Sequence, residues 1–180
     1  MKWLLTVAAI LAASALISSR SAAADDAEMI KGAEAAAPAA VSSGATIYAW
    51  GEGGAMNKLR EGTNGYWCMA DDPRPGNAAM CGDANSMEWL MAIVEKREPP
   101  KGKIGLVYML AGVDLQANNL DPYADKPAEG TDYVKTGPHV MILNAMDQLH
   151  GYPGGANPDT TRPYVMFPDT PYAHIMYPVQ

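Results

Sequence analysis

Two short segments of this chain carry the same pattern, His139-Val140-Met141 and His174-Ile175-Met176. On a β-strand, residues two apart share a face, so each segment would present an imidazole and a thioether side by side. Two such strands lying next to each other would gather two nitrogens and two soft sulfurs, a donor set suited to copper and above all to Cu(I). His139, Met141, His174 and Met176 are therefore the candidate metal ligands, and copper is the cofactor they suit. A plainer role competes with this one. Methionine fills irregular gaps in cores, the chain has 12 of them, and a strand histidine often just donates to a backbone carbonyl.

Other chemistries leave weaker traces. Beyond residue 24 the serines are Ser42, Ser43 and Ser86, and none sits in G-x-S-x-G. There is no H-E-x-x-H and no phosphate-binding G-x-x-x-x-G-K, and the run from Gly51 to Met56 lacks the last glycine of a dinucleotide fingerprint. A hydrolase could use a carboxylate pair, or His139 with an Asp, but 20 acids offer many pairs and no spacing selects one. Trp50, Trp67 and Trp89 could form a sugar-stacking face, although such residues are more often core. Asp114, Gln116, Asn118, Asp121 and Asp125 approximate the spacing of a calcium loop. Asn119 stands where that loop needs glycine and Pro122 interrupts it, so an Asx-turn loop is the expectation.

The elements that must position these residues form an α+β pattern. Thr46–Trp50, Ile104–Leu110, His139–Leu143, Tyr164–Phe167 and Tyr172–Val179 read as strands, with Gly- and Pro-rich turns between them. Met56–Glu61 and Tyr66–Met69 flank Asn64-Gly65, a pair that suits a hairpin. One main helix is expected over Ser86–Glu95. Asn85 and Glu88 have capping-box spacing, and Met87, Leu90, Met91 and Val94 form its apolar stripe up to Pro99-Pro100. The fold class is thus α+β, a small and largely antiparallel sheet with one main helix and long Gly/Pro-rich loops.

Compartment and charge narrow the function. Lys2, the apolar run Trp3–Ile17 and Ala22-Ala23-Ala24 have the form of an export signal, so residues 1–24 are expected to be removed. That run is shorter than the roughly 20 apolar residues a membrane-spanning helix needs. No membrane anchor is expected after cleavage, and the protein would work in the periplasm or be secreted. Residues 25–44 are rich in alanine without large aromatics and read as a disordered tether, leaving a single domain over 45–180. Cys68 and Cys81 in an exported chain read as a structural disulfide. The net charge of −7, made more negative by loss of Lys2 and Arg20, argues against a nucleic-acid partner.

Gly62-Thr63-Asn64-Gly65-Tyr66-Trp67-Cys68-Met69, Met87-Glu88-Trp89, Asp121-Pro122-Tyr123-Ala124, Thr136-Gly137-Pro138-His139-Val140-Met141-Ile142 and Tyr172-Ala173-His174-Ile175-Met176 resemble a family of uncharacterised exported bacterial proteins. The resemblance spans about residues 45–180. It implies export and a single domain, and assigns no activity or site. The sequence alone therefore favours a binding or structural module, for a small ligand, a metal or a protein, over an enzyme.

Overall fold

The computed structural model describes residues 25–145 and 149–179, and the expected leader lies outside them. Among the described residues ten strands form: β1 Thr46–Trp50, β2 Met56–Arg60, β3 Trp67–Met69, β4 Met80–Gly82, β5 Gly105–Met109, β6 Asp114–Gln116, β7 Val134–Thr136, β8 His139–Leu143, β9 Tyr164–Met166 and β10 His174–Pro178. Eight make one sheet in the order β2-β1-β3-β4-β5-β8-β10-β9, and β6 pairs with β7 as a separate ribbon. Every pairing is antiparallel except β1 with β3. Helix α1 covers residues 25–34, α2 is Ala39–Ser42 and α3 is Ala84–Val94. The architecture is α+β with a mostly antiparallel sheet, as the pattern of short strands and one long helix implied. No helix among the described residues is long and apolar enough to cross a membrane.

Register divides the side chains between two faces. Trp67 lies opposite Gly82, Met69 opposite Met80, Val107 opposite Met141 and Met141 opposite Met176, so these residues share one face, called the front here. Together with Trp89, Tyr164 and Met166 they form the larger core cluster. Ile47, Ala49, Cys68 and Cys81 face the back and form a second cluster. Cys68 and Cys81 are directly opposed on β3 and β4 and are bridged, with Cα atoms 4.0 Å apart, slightly closer than the roughly 4.4 Å lower end usual for such bonds. A 13-residue separation makes the bond worth about 3 kcal/mol by loop closure.

Residues 25–44 are not a tether. Ala33, Ala36, Ala37 and Val41 are buried in the back cluster against Ile47 and the disulfide. Leu110 N donates to Ala36 O at 3.0 Å. Arg60 ties the layer down: Nη1 meets Glu34 Oε1 at 2.6 Å, and Nη2 reaches the carbonyls of Ser42 and Ala45. Large apolar side chains are unnecessary here because alanines let the chain lie close on the sheet, where near contact makes up for small area.

Two local expectations also change. Strands β2 and β3 do not form a hairpin but lie on opposite sides of β1. The Asn64-Gly65 turn carries the chain past the end of β1, where a Cβ on Gly62 would sit 2.2 Å from Thr46 N. Helix α3 begins two residues earlier than expected, with Asp83 as its cap, its Oδ1 accepting from Ser86 N at 2.8 Å. Its buried stripe is Ser86, Trp89 and Ala92, while Met87, Leu90 and Ile93 pack at its margins and Val94 is exposed. The cause is steric. Gly82 and Gly105 leave room for Ser86 to press on the sheet, since a Cβ on Gly105 would stand 2.7 Å from Ser86 N, and that contact fixes the helix's rotation.

Candidate functional site

The two His-x-Met segments occupy β8 and β10, which are neighbours, and Met141 lies directly across from Met176. All four side chains therefore emerge on the front face. His139, however, pairs with Pro178, which places His174 four residues away along the strand direction, about 13 Å at the usual strand rise. One ion needs all its ligands within a few ångströms, so this register does not close the four expected ligands into one copper site. Each histidine instead faces a different methionine: Met109 lies across from His139, and Met166 across from His174. Among the described residues no cluster of three or more His, Cys, Asp or Glu is placed to hold a metal ion, so any soft site would draw on thioethers.

Both imidazoles are held alike. His139 Nδ1 donates to Gly137 O at 2.7 Å and His174 Nδ1 to Tyr172 O at 2.8 Å. That bond assigns the proton to Nδ1 and leaves Nε2 with its lone pair. Each Nε2 is buried and has no hydrogen-bond partner. Burial holds both rings below the ordinary histidine range; His174 is pushed down to about 4, with the charge of His139 a smaller contribution in the same direction. His174 is thus a neutral acceptor near pH 7, wedged edge-on against Trp89 at 5.2 Å and Phe167 at 5.7 Å between ring centres.

His174 also forms part of the wall of a cavity of about 260 Å³ on the front face. Aromatic walls come from Trp50 at the end of β1, Trp89 on α3, Tyr123 in the loop after β6, and Phe167 just past β9. Met80, Met109, Met141 and Met166 line the sheet side. Trp50 and Trp89 each keep a buried indole Nε1–H without an acceptor. Phe167 takes a left-handed backbone, φ 53°, a strained state for an aromatic residue. The strain is held by Phe167 N donating to Asn119 O at 3.0 Å and Thr170 Oγ1 donating to Phe167 O at 2.8 Å.

The residue that sequence reasoning passed over as a site is Asp114, set aside with the calcium-like loop. It opens β6, only 3 % exposed, and lines the same cavity. Its carboxylate meets Gln116 Nε2 at 3.3 and 3.5 Å, and no ion pair reaches it among the described residues. Burial pushes its carboxyl up, opposed by the charge of His139 and the contact with Gln116. The rest of that loop behaves as Asx turns: Asn118 Oδ1 accepts from Leu120 N and Asp121 N, and Asp121 Oδ1 from Tyr123 N. No hydrogen bond or ion pair joins Asp114 to His139. Both cysteines are bridged, and Ser86 is fixed by donating to Asp83 O at 2.7 Å. The described residues therefore assemble no Ser- or Cys-nucleophile pair. Compared with protein-family models, with curated proteins and with solved structures, the chain matches none.

Proposed function

We propose that the protein is an exported binding module that holds one small organic ligand in the front-face cavity. The observation that carries this reading is a cavity whose wall joins a buried carboxylate, Asp114, to an unpartnered imidazole acceptor, His174, within an aromatic and thioether lining. Ligand sites have this composition, a mostly apolar hollow with a few converging polar groups. Buried polar atoms without partners are costly, about 1–3 kcal/mol each, and three of them belong to residues of this wall, Trp50, Trp89 and His174, which supports an occupant. At about 260 Å³ the hollow lies just under the roughly 300–1,000 Å³ of drug-sized sites, which points to a metabolite-sized guest. Export is supported by the leader-like start of the sequence and by the disulfide.

Because Trp50 and Trp89 line the hollow, a guest should change tryptophan emission. Titration with a panel of small charged and neutral organic fragments is expected to give saturable changes that His174→Phe abolishes. Titrations that stay flat, or that are unaltered in the variant, would remove the reading. A second reading retains copper, because Met166 lies across from His174 and Met141 lines the same wall. It expects one equivalent of Cu(I) to bind in the presence of a competing chelator and to be lost in Met166→Leu.

A further inference from the structure

Resting on the binding reading, we infer that the guest is a small organic ammonium ion that also carries a hydrogen-bond acceptor. Asp114 is an acidic side chain, 3 % exposed, whose contacts are Gln116 Nε2 and the Leu115 backbone; it has no ion-pair partner among the described residues, and burial pushes its carboxyl up, so a neighbouring cation is what would favour its charged form. A buried carboxylate in that state is incomplete, and a cation in the cavity completes it. The aromatic walls favour the same sign of charge. Trp50, Trp89 and Phe167 line the cavity with aromatic rings, whose negative quadrupoles are the setting in which ammonium groups are held, while the Tyr123 ring already carries Lys96 Nζ at 5.0 Å from its centroid. His174 Nε2 is an acceptor and the thioether sulfurs are weak ones, so neither repels a cation.

The competing guests fit less well. An anion would need a free positive group, and the one guanidinium on the wall, Arg74, is already clamped by Asp72, Nε to Oδ1 at 2.6 Å and Nη2 to Oδ2 at 3.0 Å. A hard divalent cation wants about six oxygen ligands, and the wall supplies one carboxylate. Cu(I) would use His174 and the thioethers but would leave Asp114 and the two indole N–H groups idle. The indole N–H groups of Trp50 and Trp89 are buried and unpartnered on two residues of this wall; a guest that displaced the atoms covering them could satisfy them with a hydroxyl or carbonyl oxygen, which is the reason for adding an acceptor to the ammonium ion.

Three probes of similar size separate these ideas: choline, its neutral carbon isostere 3,3-dimethylbutan-1-ol, and tetramethylammonium, which lacks the oxygen. Titrated into the leader-free protein by calorimetry, choline should bind about tenfold or more tighter than the neutral isostere, with tetramethylammonium between. Asp114→Asn should erase the preference for charge. Its melting temperature at pH 7 should not fall, because the change removes a buried, unpaired carboxylate, and the measurement shows whether the variant is folded. Should the variant fail to fold, the three-probe comparison on the unaltered protein decides the matter. Equal affinity for choline and its isostere would overturn the cationic assignment while leaving the cavity a binding site. Cu(I) binding at one equivalent with no choline binding would put the soft metal in its place. Silence from choline, Cu(I) and the neutral fragments together would remove both this inference and the binding reading beneath it.

Discussion

His174 sets an acid limit on this fold. The ring is buried between Trp89 and Phe167, and its Nδ1 proton is committed to Tyr172 O. Its titration falls from the ordinary 6.5 to about 4 in the folded protein. Between these values the unfolded chain binds a proton that the native state refuses, so stability rises with pH across the window. The contribution is complete above pH 6.5 and is lost as pH falls towards 4, amounting to about 3 kcal/mol. His139, also lowered by burial, acts in the same direction, tempered by Gly137 O and Asp114. Asp114 acts in the opposite direction. Its raised carboxyl favours the fold at low pH, and that stability is lost as pH rises through the folded value. Thermal melts should therefore drop steeply between pH 6.5 and 4.5, and the slope should lessen by about one proton in His174→Gln. A variant with an unchanged slope would show that the imidazole is protonated in the native state.

At the level of elements, the back layer and α3 show what the sequence could and could not reveal. Strands β1, β5 and β8 were legible because apolar residues alternate or run together between clear turns, as in Thr46–Trp50 and His139–Leu143. The disulfide followed from the cysteine count and the expectation of export alone. Strand β4 was missed because three residues, Met80–Gly82, are too few to show a period. Residues 25–44 lack the large apolar side chains that mark burial in a sequence, and this layer is buried through alanine instead. Helix α3 was found but rotated: periodicity marks a stripe only where its neighbours are symmetric, and two glycines on the facing strands draw Ser86 and Trp89 inward. The two readings of 25–44 differ in outcome. A tether could be deleted without effect, whereas removing residues 25–44 uncovers Ile47 and both cysteines and strands Arg60. Chemical denaturation of a chain starting at Ala45 is expected to show a loss of several kcal/mol, at about 25 cal/mol per Å² of apolar surface uncovered. An unchanged midpoint would restore the tether.

Across the whole molecule, the site combines legible and illegible parts. The His-x-Met repeat correctly pointed to the front face of neighbouring strands, but register, which no local pattern encodes, decided that the histidines stand apart and that each meets a methionine from another strand. Asp114 joins the wall through the ribbon of β6 and β7, whose pairing spans a long connection that sequence spacing cannot foresee. That ribbon is tied to the sheet by few bonds, one of them between Thr136 Oγ1 and Tyr164 OH at 2.7 Å. It makes one backbone hydrogen bond to the loop before β4, Gly76 N to Leu115 O at 2.7 Å, and Leu115 stands 40 % exposed. The strands β4, β5 and β8, by contrast, lie inside the eight-stranded sheet with partners on both edges. Local opening should follow this division, since segments with few buried contacts open well below the cost of global unfolding. Amide exchange is accordingly expected to be slowest at Val107, Met109 and Met141 and fast at Leu115, Gln116 and Lys135 in the empty protein. A guest seated against Asp114 ties the ribbon to the sheet, so saturating choline should slow exchange in β6 and β7 while leaving β4, β5 and β8 as they were. Protection spread evenly over the sheet would mean that choline merely stabilises the fold as a whole, and protection elsewhere on the surface would move the binding site away from Asp114.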